Sequence, residues 1–306
     1  MGLDAVNPHA WPSFDTRPLL GANGTEAMSV LLSDGGGDLV DYLKVGPFMG
    51  QAAIATLAPR YPLMLHLDDT LSGYHRPSDE MAERIVDLVQ LTGTPWTSEH
   101  IGFSVADVRL DQALVTQAAS EMLSRDQALH NIVRNARALA GRLPVPLLLE
   151  NIPMFPNLAH MHVTEPGFIA AVIEQTGCDL LLDLAHARVS ADVLGHDVYD
   201  YVSQLPLEKV VELHLSGPRP LAEMDASIKS LVRENVPSVA HLLSFDKENL
   251  IDAHEPMQEA DYALLEWTLA RTSPKAISLE YYRKPGPLRE QLLRLGQILG
   301  RRLQAP

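Results

Sequence analysis

Cysteine is almost absent from this chain. One residue, Cys178, occurs among 306, which excludes an internal disulfide framework and fits a reducing compartment. It stands at the head of an apolar run, where a structural role is expected of a thiol with no electropositive setting. Basic residues are also scarce: 24 Lys and Arg face 39 Asp and Glu, a formal net charge of −15. That balance argues against a passive nucleic-acid binder, whose affinity comes mostly from cations on phosphates. It leaves open an enzyme that grips an anion through bound metal ions. No uninterrupted apolar run of about 18 residues exists, so no membrane span is expected. The N-terminus has neither a basic n-region nor an apolar h-region, so it does not read as a secretory signal, and a cytoplasmic location is expected. Neither G-x-G-x-x-G after a strand nor G-x-x-x-x-G-K-[ST] occurs, so no nucleotide fold is advertised. Gly35-Gly36-Gly37 precedes a strand and reads as a loop.

What is present is an ordinary core composition, 46% hydrophobic and 21% charged, with apolar runs and amphipathic stretches in alternation. Strands are expected at 18–23, 39–47, 62–68, 94–100, 145–151, from Cys178 to Asp183, at 209–215 and at 275–282. Helices are expected at 26–32, 79–92, 111–142, 165–175, 199–205, 258–272 and 288–303. Eight β/α units without a compositional break fit a single-domain α/β (β/α)8 TIM barrel, a fold of typically about 250 residues. A doubly wound open sheet is the alternative. Residues 1–17 are expected to be an arm and 18–306 the barrel, with an insertion at about 217–250. Within it, 225–234 looks helical and Pro237 is expected to break the helix. The insertion reads either as a lid or substrate-binding element over the mouth or as surface decoration.

The strand exits carry the chemistry. The third ends in His66, the fourth in Glu99-His100, the fifth in Glu150-Asn151, and the sixth in Asp183 with His186 beyond. The seventh holds Glu212 and His214, the eighth Glu280, and Asp252 and His254 follow in IDAHEPM (251–257). In a barrel these ends converge on one face, where active sites are built from several strands. Glu212 and His214 share a strand face, as do Asp252 and His254 if extended. A single His at a strand end usually hydrogen-bonds at the rim, and a single Asp or Glu usually caps a helix. Asp68, Asp69, His75, His130, His160, His162, His196 and His241 are read that way. Five histidines and four carboxylates aimed into one mouth need a shared partner, and metal ions supply it. The expected ligands are His66, His100, Glu150, Asp183, His186, His214, Asp252, His254 and Glu280. Mixed imidazole and carboxylate donors suit iron, zinc or manganese.

The order His, His, Glu, Asp-x-x-His, His, Asp-x-His, Glu resembles the xylose-isomerase-like superfamily with trinuclear sites. Within it, SEHIGFS (98–104), LLLEN (147–151), TGCDLLLDLAHARVSA (176–191), ELHLSG (212–217) and IDAHEPM (251–257) resemble the multinuclear non-haem iron-dependent oxidative enzymes. The resemblance covers roughly residues 18–282. It implies an Fe(II)/Fe(III) centre of two or three ions, with Zn or Mn as alternatives, and O2-dependent modification of a ribosomally made precursor peptide at cysteine. By position it implies one ion on His66, His100 and Glu150, and a second on Glu150, Asp183, His214 and Glu280. A third would sit on His186, Asp252 and His254. Glu150, Asp183, His214 and Glu280 would then be the catalytic ligands. A separate partner protein that recognises the leader peptide is expected. The chain departs from the family pattern at HLDDTLS (66–72), which replaces a glycine-rich turn, and at His186, where many members have Asn. Pro218 stands where a histidine is frequent, and the interval from His214 to Asp252 is long. A trinuclear zinc phosphodiesterase resembling abasic-site endonucleases is the alternative function, weakened by the acidic charge.

Overall fold

Eight short runs, seven of them largely apolar and one polar (TSEH), become parallel strands: β1 (Leu19–Asn23), β2 (Tyr42–Val45), β3 (Leu63–His66), β4 (Thr97–His100), β5 (Leu147–Glu150), β6 (Asp179–Asp183), β7 (Val210–Leu215) and β8 (Ala276–Leu279). They close into a barrel in which each strand pairs with its sequence neighbours and β8 returns to β1, Leu19 opposite Ala276. The computed structural model describes residues 11–110 and 116–301. Among them, no helix is long and apolar enough to cross a membrane. The fold is the single-domain barrel expected from the sequence.

Strand parity builds both cores. Leu43 and Val45, Leu63 and Leu65, Leu147 and Leu149, Leu180 and Leu182, Leu213 and Leu215, and Ile277 and Leu279 all belong to the large buried cluster shared with the helices. The alternate residues point inward, and Leu19, Tyr42, Met64, Trp96, Leu148, Leu181 and Ala276 form a separate buried plug, with Trp11 and Phe14 packed against it. Strands covered on both faces read as continuous apolar runs for this reason. Gly21 is required where β1 meets β2, because a Cβ there would lie 2.3 Å from the Tyr42 ring. Asp41 ties the first and last parts of the chain. It accepts hydrogen bonds from Arg17 at 2.8 and 2.9 Å, from Arg301 at 2.5 Å and from the Leu20 N–H at 2.8 Å.

Four expectations change. The helix expected over 111–142 runs only over Arg125–Ala140, started by a capping box between Ser124 and Gln127. Before it, Val108–Leu110 pairs antiparallel with Thr116–Ala118, and residues 111–115 lie outside the described residues. A helix that the sequence reading did not mark, Leu184–Leu194, starts directly at the exit of β6. The helix of the long segment after β7 spans Ala226–Val239 and includes Pro237. A proline there removes only one bond in the last turn, and Val239 is buried against Met154, Met161 and Val193, which offsets that loss. The closing helix is Pro285–Ile298, begun by a proline at its first position. The part of the expected helix beyond 301 lies outside the described residues.

Candidate metal centre

Moving two residues along each strand from the apolar plug replaces hydrocarbon with polar groups. Tyr42 gives way to Lys44, Met64 to His66, Trp96 to Ser98, Leu148 to Glu150 and Leu181 to Asp183. Register aligns them: His66 is beside Ser98, His100 beside Glu150, Asp183 beside His214, and His214 beside Ser278. Seven of the nine sequence-predicted residues therefore line one cavity of about 830 Å³, His66, His100, Glu150, His186, Asp252, His254 and Glu280, together with Lys44; Asp183 and His214 are fully buried behind them.

Glu150 is the shared element. Its Oε2 lies 3.4 Å from His66 Nε2 and 3.7 Å from His100 Nε2, and its Oε1 lies 3.0 Å from His214 Nδ1. Two groups have donor atoms close enough to surround one cation each: His66, His100 and Glu150, and Glu150, Asp183 and His214. A third set stands on Asp252, whose Oδ2 lies 2.9 Å from His254 Nε2 and 3.4 Å from His186 Nε2. Asp252 and His254 sit on a strand, Leu250–Glu255, paired antiparallel with Gly217–Pro220. A Cβ on Gly217 would lie 2.4 Å from the Glu255 carbonyl, so only glycine permits that pairing. His254 departs from the extended backbone expected of it: its φ is 46°, a left-handed conformation rare for a side chain of this size and characteristic of functional sites. Glu280, expected as a fourth ligand of the central set, has Oε1 3.1 Å from His214 Nδ1 and held by the Lys44 ammonium.

The donor chemistry fits metal ions. Glu150 Oε2 and Asp183 Oδ2 are fully buried and have no hydrogen-bond partner, a costly state unless something else satisfies them. Three imidazoles have Nδ1 engaged and Nε2 turned to the centre. His66 Nδ1 meets Ser98 Oγ at 2.9 Å, His186 Nδ1 meets the Asn151 carbonyl at 2.8 Å, and His254 Nδ1 meets the Glu280 carbonyl at 3.1 Å. Metal-ligating histidines are oriented in this way. Electrostatics point the same way. Burial works against charge on His186, yet Asp183 and Asp252 raise it to about 10; His254, likewise buried, is raised to about 10 mainly by Asp252. Burial pushes the Asp183 carboxyl up to about 7. Without metal, the carboxylates thus draw protons into a buried space that calls for positive charge.

Sequence reasoning named Asn151 and Glu212 at strand exits without giving them a role, and did not mark Lys44. Asn151 fixes β6 by accepting the Asp183 N–H at 2.9 Å and donating to the Asp183 carbonyl at 3.0 Å. Glu212, one layer below, accepts from Trp96 Nε1 at 2.7 Å and from Ser278 Oγ at 2.9 Å, and its Oε1 lies 3.3 Å from His214 Nε2. Lys44 carried one available signal, its spacing of two from the inward Tyr42. His160, read as an ordinary histidine, hydrogen-bonds the Pro153 and Thr116 carbonyls.

The family model described as RiPP precursor modification enzyme MbnB/TglH/ChrH matches residues 41–298. The chain belongs to this family. Every expected ligand falls inside the matched span. Relatives include a UPF0276 protein of Bordetella parapertussis, 30% identical over 249 residues, covering 81% of this chain and 78% of that protein. Another, from Caulobacter vibrioides, is 26% identical and covers 74% and 71%. Similar solved structures include a D-tagatose 3-epimerase-like protein (TM-score 0.53, 14% identity, 92% of this chain and 97% of that one). A xylose isomerase-like TIM barrel protein from Mycobacterium smegmatis, solved with magnesium, has TM-score 0.50 and 14% identity, covering 94% and 98%. At these identities the structural likeness concerns the fold. Membership of the family makes the protein an enzyme of precursor-peptide modification.

Proposed function

We propose that this protein is an iron-dependent, O2-using oxidative enzyme that modifies a ribosomally made precursor peptide at cysteine. The observation that carries the reading is the buried centre around Glu150, with two carboxylate oxygens that no hydrogen bond satisfies, in a chain of a peptide-modifying family. His66, His100 and Glu150 would hold one ion, and Glu150, Asp183 and His214 a second. His186, Asp252 and His254 would hold a third. Bound iron supplies affinity for a substrate thiolate and for O2. The donors are imidazole and carboxylate, and the one thiol of the chain, Cys178, lies at the opposite end of β6 from Asp183, so it does not compete for the metal.

The chain's own residues bind the peptide and keep water from the reacting sulfur. Phe48, Leu110 and Tyr282 line the cavity while remaining 70%, 67% and 46% exposed, an apolar rim at the mouth. Met224, Ser227 and Ile228 from the segment after β7 wall the same cavity, which favours a substrate-binding role for that segment. A separate partner protein would recognise the leader peptide. The test is anaerobic purification with Fe(II), metal analysis, and O2 consumption with the precursor peptide encoded nearby. Iron in the protein with peptide-dependent O2 uptake and a mass change on the peptide is the expected result. A colourless zinc protein without O2 uptake would sink the reading.

A further inference from the structure

Lys44 rises from β2 into the centre itself. Its Nζ binds Glu280 Oε1 and lies 3.3 Å from His214 Nδ1. Those two atoms are 3.1 Å apart, so the ammonium and the two donors form one tight cluster. The residue is 6% exposed, so its charge is met by Glu280 and not by water. A cation bound between His214 and Glu280 would need the space that Nζ fills. At such a separation like charges repel strongly in a buried setting.

We propose that Lys44 is a resident cation of the centre: its ammonium holds Glu280 in place of a metal ion. Glu280 is then no metal ligand, and the ions are confined to the donor groups that share Glu150 and to the Asp252 group. This inference rests on the reading of the centre as a metal site. It gives the chain a way to set how many ions it carries: one of the nine expected donors is reserved for a lysine.

The experiment counts metal by plasma mass spectrometry after equilibrium dialysis against Fe(II), and separately against Zn(II), under argon. Wild type, Lys44→Met and the Lys44→Met/Glu280→Gln double variant are compared, each after a melting curve. Methionine keeps the length of the side chain and removes its charge. Lys44→Met should gain about one ion per chain, or bind its weakest ion roughly a hundredfold tighter, because a full positive charge leaves the site. The double variant should return to the wild-type count, since the added ion depends on Glu280. Unchanged metal content in a cooperatively melting Lys44→Met, or a gain that persists in the double variant, would overturn the proposal. Should Lys44→Met fail to fold, anomalous scattering from crystals of the metal-loaded wild type decides instead. No peak at Glu280 supports the proposal, and a peak within bonding distance of a Glu280 oxygen overturns it. A wild type that binds no metal removes the centre itself, a failure distinct from an ion count indifferent to Lys44.

Discussion

Asp183→Asn separates two jobs that one carboxylate performs. Asp183 Oδ1 accepts the His186 N–H at 2.7 Å and caps the helix Leu184–Leu194, while Oδ2 is buried without a hydrogen bond, 3.7 Å from His186 Nε2. Asparagine caps as well as aspartate, so the helix start survives and only the charge disappears. In the metal-free protein that charge is costly. Burial pushes the carboxyl from an ordinary 3.8 up to about 7, against the pull of His186. A folded-state value above the unfolded one means that the folded chain holds the proton more tightly. The group's contribution to stability therefore falls as pH rises from about 4 to about 7 and stays low above. The cost at pH 8 is at most about 4 kcal/mol, and leaving the new amide partly unsatisfied returns about 1–3 kcal/mol of it. With an unfolding entropy of roughly 0.6 kcal/mol per degree for a chain of this length, the chelated variant should melt at most about 2–5 °C above wild type at pH 8. That gap should shrink at pH 5. Loaded with Fe(II), the order should reverse, because the variant lacks an anionic donor and forfeits binding stabilisation of about 2.7 kcal/mol at a hundredfold excess over Kd. Circular-dichroism melts with chelator and with anaerobic Fe(II), at both pH values, measure all four cases. A variant that melts with wild type in all of them, or lower in chelator, refutes the assignment of Oδ2 to a cation.

Other consequences are simpler to state. Glu150→Gln should lower the metal count more than any other single ligand change, because Glu150 belongs to both donor groups; a loss no greater than that of His100→Gln would contradict the sharing. Asp41→Asn should cost about 3 kcal/mol at pH 7, since Arg17 and Arg301 lose a common partner. Burial opposes charge on Asp41, but Arg17, the Leu20 N–H and Arg301 hold its carboxyl below the ordinary value. Its stabilisation is therefore present at neutral pH and fades as pH falls through the folded-state value, and acid melts of the two proteins should converge. Phe48→Ser should leave the unfolding free energy within about 0.5 kcal/mol of wild type, while weakening binding of the precursor peptide by about 1 kcal/mol, roughly fivefold, in a titration. An unchanged peptide affinity would remove Phe48 from the binding surface.

Much of this protein is decided locally. Largely apolar strands of four to six residues recur between amphipathic stretches, as parallel strands buried on both faces usually require; only β4 (TSEH) is polar throughout. Ionisable groups at the strands' C-terminal ends mark the one barrel face where such groups can be kept, so the convergence of His66, His100, Glu150, Asp183, His214 and Glu280 on that face was legible by position. Local patterns misled where a cap or a tertiary contact outweighed them. The Ser124–Gln127 box starts its helix well inside the stretch expected to be helical, and buried Val239 carries another helix past Pro237. The roles of Lys44 and Glu212 belong to tertiary structure. Lys44 meets His214 and Glu280 across 170 and 236 residues of sequence, and Glu212 meets Trp96 across 116. Periodicity tells which way a side chain points, but only closure of the barrel brings opposite walls within bonding distance. Whether a buried charge faces a carboxylate, an imidazole or a cation is settled at that closure.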